Sequence, residues 1–313
     1  MSVDQVTTGQ DDLDGLSRGA QSQVRSFFHV LGERLIPGTS TSYRVYWLMT
    51  DANGNDRTNA LARHIYYRIT DYCTPRSRID EAHRLDALEG GNMHFSQLQD
   101  EARRLFLDAD ASGEGGELLL FFLLEAELRI PQILCKMPLK TNSQMPIHGV
   151  DGVHASLLED GKLAVYWGES KLYKDVQSAM TSCFDSIEPF LLDDGTGIAH
   201  RDLTLVRDNL DVKNRDLALK LVRYFTDDAP ERNLLEIRGA CLVGFDNDPH
   251  EHPFFNSPSE LVDTVGARIE GWSSSIGTRV TNRKIDTVEI EFFCLPLPSV
   301  KKLRDEFKTL IGM

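Results

Sequence analysis

The chain has 313 residues, a formal net charge of -14, 41% hydrophobic residues and 26% charged ones. That is ordinary for a globular protein with one large core or two modest ones, and it excludes a fibrous or wholly disordered chain. The acidity also argues against an autonomous nucleic-acid binder, because neutralising phosphates needs a basic surface. No run of about 18 apolar residues predicts a membrane-spanning helix. The start, MSVDQVTTGQDDLDG, lacks the basic and apolar regions of a secretory signal. Five isolated cysteines (Cys73, Cys135, Cys183, Cys241, Cys294), without zinc-site spacing, predict buried thiols in a reducing, cytoplasmic setting.

In chain order, residues 1–20 are rich in Asp, Gly, Ser and Gln and are expected to be a disordered tail. Apolar spacing predicts a helix from Gln23 to Leu35, stopped by Pro37-Gly38. Ser42 to Met49 reads as a strand ending at the turn signal Asp51-Ala52-Asn53-Gly54. Helices are expected over Leu61–Tyr72 and Phe95–Leu107. Glu117 to Arg129 is apolar almost all round at first and predicts a buried helix ended by Pro131. A strand over Gln132–Lys140 follows, then a hairpin, then an amphipathic helix over Tyr173–Leu191. Beyond a helical linker near 201–226, Leu234–Phe245 predicts a central strand. A helix (Pro258–Trp272), a strand (Val288–Leu295) and a terminal helix (Ser299–Leu310) complete the chain.

The hairpin, GVDGVHASLLEDGKLAVYWGESK from Gly149 to Lys171, carries the chemistry. A three-residue loop, Glu159-Asp160-Gly161, with glycine in the left-handed position, sets Leu158 against Lys162 and Asp151 against Glu169. Alternation then puts Asp151, Glu169 and Lys171 on one face with Val153, Ala155, Leu157, Leu163, Val165 and Trp167. Two acids at the rim of that apolar face, with Cβ atoms roughly 5 Å apart, need a cation, and a divalent metal beside Lys171 is the candidate. A two-residue loop would throw Asp151 onto the opposite face.

The order from 116 to about 246 is helix, strand, strand, strand, helix, strand, which resembles the core of PD-(D/E)XK nucleases. That resemblance puts an Asp at the start of the second strand and Glu-x-Lys on the third. Here they are Asp151 and, after seventeen residues, Glu169-Ser170-Lys171, with Glu117 matching an acid on the first helix and Val150 replacing the usual Pro. The segments SGEGGELLLFFLLE, KMPLKT, GVDGVH, WGESKLY and EIEFFCLPLPSVKKLRDEF further resemble the HamA family, nuclease subunits of the Hachiman anti-phage defence system.

The resemblance implies an α/β fold with a restriction-endonuclease-like core, a mixed sheet flanked by helices. Residues 96–313 would form the nuclease domain, and the N-terminal α+β region over 21–95, which lacks catalytic spacing, is expected to dock a partner. It implies a DNA nuclease working with a HamB-like helicase. Phosphodiester hydrolysis calls for Mg²⁺, with Mn²⁺ as a substitute. Asp151 and Glu169 would be the main ligands, the Ser170 carbonyl a third, and Glu117 would bind directly or through water. Lys171 would orient water and stabilise the phosphate.

Each residue also has a plainer reading. Glu117 can favour a helix start, Asp151 can be a turn residue, and Glu169 with Lys171 can form an exposed strand end. Basic patches at Arg103-Arg104, Lys136 with Lys140, Lys171 with Lys174, and Lys301-Lys302-Arg304 read as solvated surfaces. Asp248-Pro249-His250-Glu251-His252 reads as a loop with two histidines but no third ligand. His148 and His154 flank Asp151, and His154 falls on the other face of the hairpin as a packing residue. There is no phosphate loop of the GxxxxGK[ST] type and no GxSxG elbow. A silent binding scaffold and a stand-alone restriction-type or RNA-directed nuclease remain the competing functions.

Overall fold

A computed structural model of the protein describes residues 13–107, 113–139, 150–192, 198–247, 255 and 257–312. The elements run α1 (Gln21–Arg25), β1 (Phe28–Leu35), β2 (Thr41–Leu48), α2 (Thr58–Tyr66), α3 (Ile69–Cys73), α4 (Arg76–Glu89), α5 (Met93–Leu107) and α6 (Glu114–Ala126). Then come β3 (Gln132–Leu134), β4 (Gly152–Leu157), β5 (Leu163–Tyr173), α7 (Val176–Leu191), α8 (Ile198–Asp208) and α9 (Arg215–Tyr224). β6 (Leu235–Asp246), α10 (Pro258–Asn282), β7 (Ile290–Leu297) and α11 (Val300–Ile311) follow. The named strands form one mixed sheet in the order β1-β2-β7-β6-β5-β4-β3. β2, β7, β6 and β5 are parallel neighbours, and the pairs at both ends are antiparallel.

The fold is α/β, with helices on both faces of the sheet. One face buries Val153, Val165, Trp167, Cys241 and Phe292 against α7, α8, α9 and α10. The other buries Tyr46, Ala164, Leu242 and Phe293 against α2, α3, α6 and α11. α6 touches the sheet on one side and α2, α3 and α11 on the other, which is why it is apolar all round. The order α6-β3-β4-β5-α7-β6 is the one expected, and β6 lies at the centre of the sheet. All five cysteines are buried thiols outside any disulfide.

Several elements differ from expectation. Residues 28–35 form β1, and only Gln21–Arg25 is helical. A register shift between Leu31 and Arg34 inserts an extra residue, so Leu31 is buried while Leu35, four residues on, is exposed, and the strand's alternation is broken. The helix expected over 61–72 is two helices, and α4 has too thin an apolar face to be foreseen. β3 stops at Leu134. α10 runs ten residues past Trp272, because Ile276 and Val280 continue its buried stripe.

Of the expected tail, residues 1–12 lie outside the described residues, while Leu13 is buried and Arg18 pairs with Glu125. The N-terminal region is continuous with the rest of the sheet, because β2 pairs in parallel with β7. Among the described residues no helix is long and apolar enough to cross a membrane.

Candidate active site

The hairpin adopts the three-residue loop. Leu158 N–H donates to the Lys162 carbonyl at 2.8 Å, and Gly161, at φ +83°, occupies the left-handed position that a side chain would strain. Leu157 pairs with Leu163 and Gly152 with Gly168, so the register brings Asp151 abreast of Glu169.

The ladder ends just there, and its ending builds the site. Hydrogen-bonded pairs alternate along antiparallel strands. Counting from Leu158 and Lys162, the next donor beyond Gly168 would be Ser170 N–H, aimed at the Val150 carbonyl. The chain turns away instead. Asp151 N–H donates to the Gly168 carbonyl at 2.8 Å. The Asp151 carboxylate then accepts from Ser170 N–H at 2.8 Å and from Ser170 Oγ at 2.7 Å. The displaced Val150 carbonyl accepts from Lys136 Nζ at 2.9 Å. Each group left over by the broken ladder has a partner, as buried backbone requires.

Glu169 is buried, and Lys171 donates to its carboxylate. Lys171 is 21% exposed against 5% for Glu169, so the cluster opens to solvent at the lysine. Burial first, and the Asp151 carboxylate second, push Glu169 up to about 7 despite the pull of Lys171. Burial likewise raises Asp151, against the Ser170 donors and the charges of Lys171 and Lys136. Burial lowers Lys171, but Glu169 and Asp151 outweigh it and push the ammonium up to about 12. At neutral pH Lys171 is a fixed positive charge facing two acids that share one enclosed space.

Glu117 reaches this cluster through Tyr72. The phenol hydroxyl lies 2.7 Å from Glu117 Oε2 and 3.0 Å from the Asp151 carbonyl, and its single proton is shared between those acceptors. The first turn of α6 lies close to β5 because residue 116 is glycine. A Cβ there would sit 2.9 Å from Ser170 Oγ and 3.2 Å from Leu172 Cγ.

Asp151, Glu169 and Lys171 thus come together as expected, and Glu117 joins at the edge. Ser170 serves visibly through its N–H and hydroxyl, as donors to Asp151. His154 is a buried packing residue whose Nδ1 lies 3.0 Å from the Ile130 carbonyl. Lys136, read as half of a surface patch, is buried and paired with Asp202 at 3.2 Å. Arg103, Lys301 and Lys302 face the acids Asp100, Asp305 and Asp56, so none stands as an isolated cation. Lys140, His148 and residues 248–252 lie outside the described residues.

Sequence reasoning missed Tyr72, Lys136 and Ser186, whose side chain favours the ionised form of Glu169. None of the three has a local signal, since each arrives from an element distant in sequence. Among the described residues, no three His, Cys, Asp or Glu side chains converge closely enough to hold a metal ion by themselves.

The fold and this cluster define an α/β protein with an acid pair and a lysine where an antiparallel hairpin frays from a mixed sheet. A comparison with curated proteins returned no match. The family model for HamA matches residues 25–311, and the chain belongs to the HamA family. Membership associates it with the Hachiman anti-phage defence system.

Proposed function

We propose that this chain is a metal-dependent deoxyribonuclease, the effector of a defence complex in which a HamB-like helicase delivers DNA. The reading rests on one observation: Asp151 and Glu169, from paired strands, share a buried space with the Lys171 ammonium. Burial of like charges is costly unless something positive is held there.

The donor set suits a hard cation. Mg²⁺ prefers oxygen ligands and usually binds through one or two carboxylates, keeping waters and taking substrate oxygens for the rest. A complete protein cage is therefore unnecessary. Asp151 and Glu169 would hold the ion, with the Ser170 carbonyl a third ligand and Glu117 acting directly or through water. Mn²⁺ would substitute. When bound, the ion supplies Lewis acidity toward the phosphate and lowers the pKa of water.

The chain's own groups do the rest. Lys171, pushed up to about 12, cannot take a proton at neutral pH, so its part is electrostatic. Its Nζ stabilises the charge that builds on the phosphoryl oxygens and orients the attacking water. Ser170 holds one Asp151 oxygen, and Tyr72 holds Glu117 toward the β4 backbone. The net charge of -14 makes delivery by a partner physically sensible, since the free chain attracts DNA poorly.

A second reading, a silent scaffold in the same complex, draws on the lack of three converging ligands among the described residues. Cleavage assays with the partner helicase, across single-stranded DNA, duplex DNA and RNA, separate the two. Mg²⁺-dependent cleavage of DNA, lowered about 100-fold or more by Glu169→Ala and by Lys171→Ala, is the expected result. No cleavage of any substrate by the wild-type complex would favour the scaffold, and cleavage of RNA alone would redirect the substrate assignment.

A further inference from the structure

One face of α7 borders a groove of about 550 Å³ lined by Gln177, Ser178, Thr181, Ser182, Asp185 and Ser186. These residues recur at helical spacing along nearly three turns of α7. All six are polar, so the groove favours a polar ligand. Its inner end, Ser186, lies on the helix whose Cys183 thiol donates to the Glu169 carbonyl at 3.6 Å, and the Ser186 side chain favours the ionised form of Glu169. The groove therefore leads into the acid cluster.

Two arginines from the end of α10 border it. Arg279 donates to Thr181 Oγ1 at 3.2 Å and to Gln177 Oε1 at 3.0 Å. Arg283 pairs with Asp185, and with Glu188 at 3.2 Å, so the carboxylate in the groove is answered. Farther along, Tyr173 is 38% exposed with its hydroxyl 3.1 Å from Ser182 Oγ, which fixes the ring at the groove's edge.

We infer that this groove carries the sugar-phosphate backbone of one nucleic-acid strand toward Asp151, Glu169 and Lys171. Hydroxyl and amide side chains are the neutral donors that proteins set against phosphate oxygens, with arginine adding charge. The exposed face of Tyr173 gives a base a surface to stack on. The volume accommodates a nucleotide or two of a single strand. The inference rests on the nuclease reading, and it assigns that reading a path for the substrate.

The test uses the full chain and its complex with the helicase. Binding of a labelled single-stranded oligonucleotide is followed by fluorescence anisotropy in a chelator, with cleavage assayed in parallel. Gln177 and Thr181 are exposed, so Gln177→Glu and Thr181→Glu add charge without disturbing the core. The double variant should bind at least tenfold more weakly at an unchanged melting temperature. Arg279→Met should reduce the salt dependence of binding by about one counterion. Wild-type binding in the charge-added variant would overturn the groove, as would no binding by the wild-type chain and complex. If the groove variants bind and cleave normally while Glu169→Ala abolishes cleavage, the path is wrong and the nuclease reading stands. If binding falls as expected but no form cleaves, the groove stands and the nuclease reading fails.

Discussion

Glu125 and Glu169 are both buried acids, yet their surroundings drive them in opposite directions. Burial raises Glu125, but Arg18 at 3.0 Å and Arg76 at 3.3 Å outweigh it, and its carboxyl is held below the ordinary range. Arg76 also binds Asp211 at 2.8 Å, and Gln132 N–H donates to Glu125 at 2.9 Å. Two arginines and two acids from four distant segments thus balance. Around Glu169, Lys171 faces both Glu169 and Asp151, while Lys136, which also acts on Asp151, is shared with Asp202. One cluster is closed and ties the fold together; the other holds two acids whose ionised forms are disfavoured, at a point that opens to solvent. Equal burial with unequal compensation is what separates a structural network from a candidate site.

The largest effect expected from this contrast is at the closed cluster. Glu125→Ala would leave two guanidinium groups without their shared partner and should destabilise the protein by about 3–5 kcal/mol. Urea unfolding measures this, and a loss below about 1 kcal/mol would remove the distinction drawn here.

Acid comes next. Burial lowers His154 to about 4, so its imidazole stays neutral in the folded state while the unfolded chain takes up a proton below about 6.5. The stability it permits is complete above pH 6.5 and is lost as the pH falls toward 4, by about 3 kcal/mol in all. The raised acids of the site work the other way, since their protonated forms are favoured on folding. The difference between wild type and His154→Gln across that range isolates the histidine. Parallel pH profiles for the two proteins would contradict the assignment.

The smallest effect is at Tyr72. Tyr72→Phe removes the hydroxyl shared by Glu117 and the Asp151 backbone. It should cost about 1 kcal/mol of stability and lower cleavage roughly tenfold. Unchanged cleavage would detach Glu117 from the site.

The hairpin was legible because three local signals agree: an apolar residue at every second position, a loop ending in Gly161, and acids placed to continue one face. β6 and α6 were legible for similar reasons, each a buried apolar run bounded by clear breaks. β1 was not, since the extra residue between Leu31 and Arg34 breaks the alternation that marks a strand. Nor were Arg18, Arg76 and Asp211, which are scattered charges until the fold brings them to Glu125. The site's second half, Tyr72 and Lys136, escaped for the same reason. Local pattern encodes faces and turns, whereas partners across the sheet depend on how distant segments meet.

The central claim is that Asp151 and Glu169 are arranged to bind a divalent cation. An anomalous difference map from crystals grown with Mn²⁺ tests it directly. A peak bridging the Asp151 and Glu169 carboxylates, absent in Glu169→Ala, is the predicted result. Well-ordered side chains at both positions with no peak between them would contradict it.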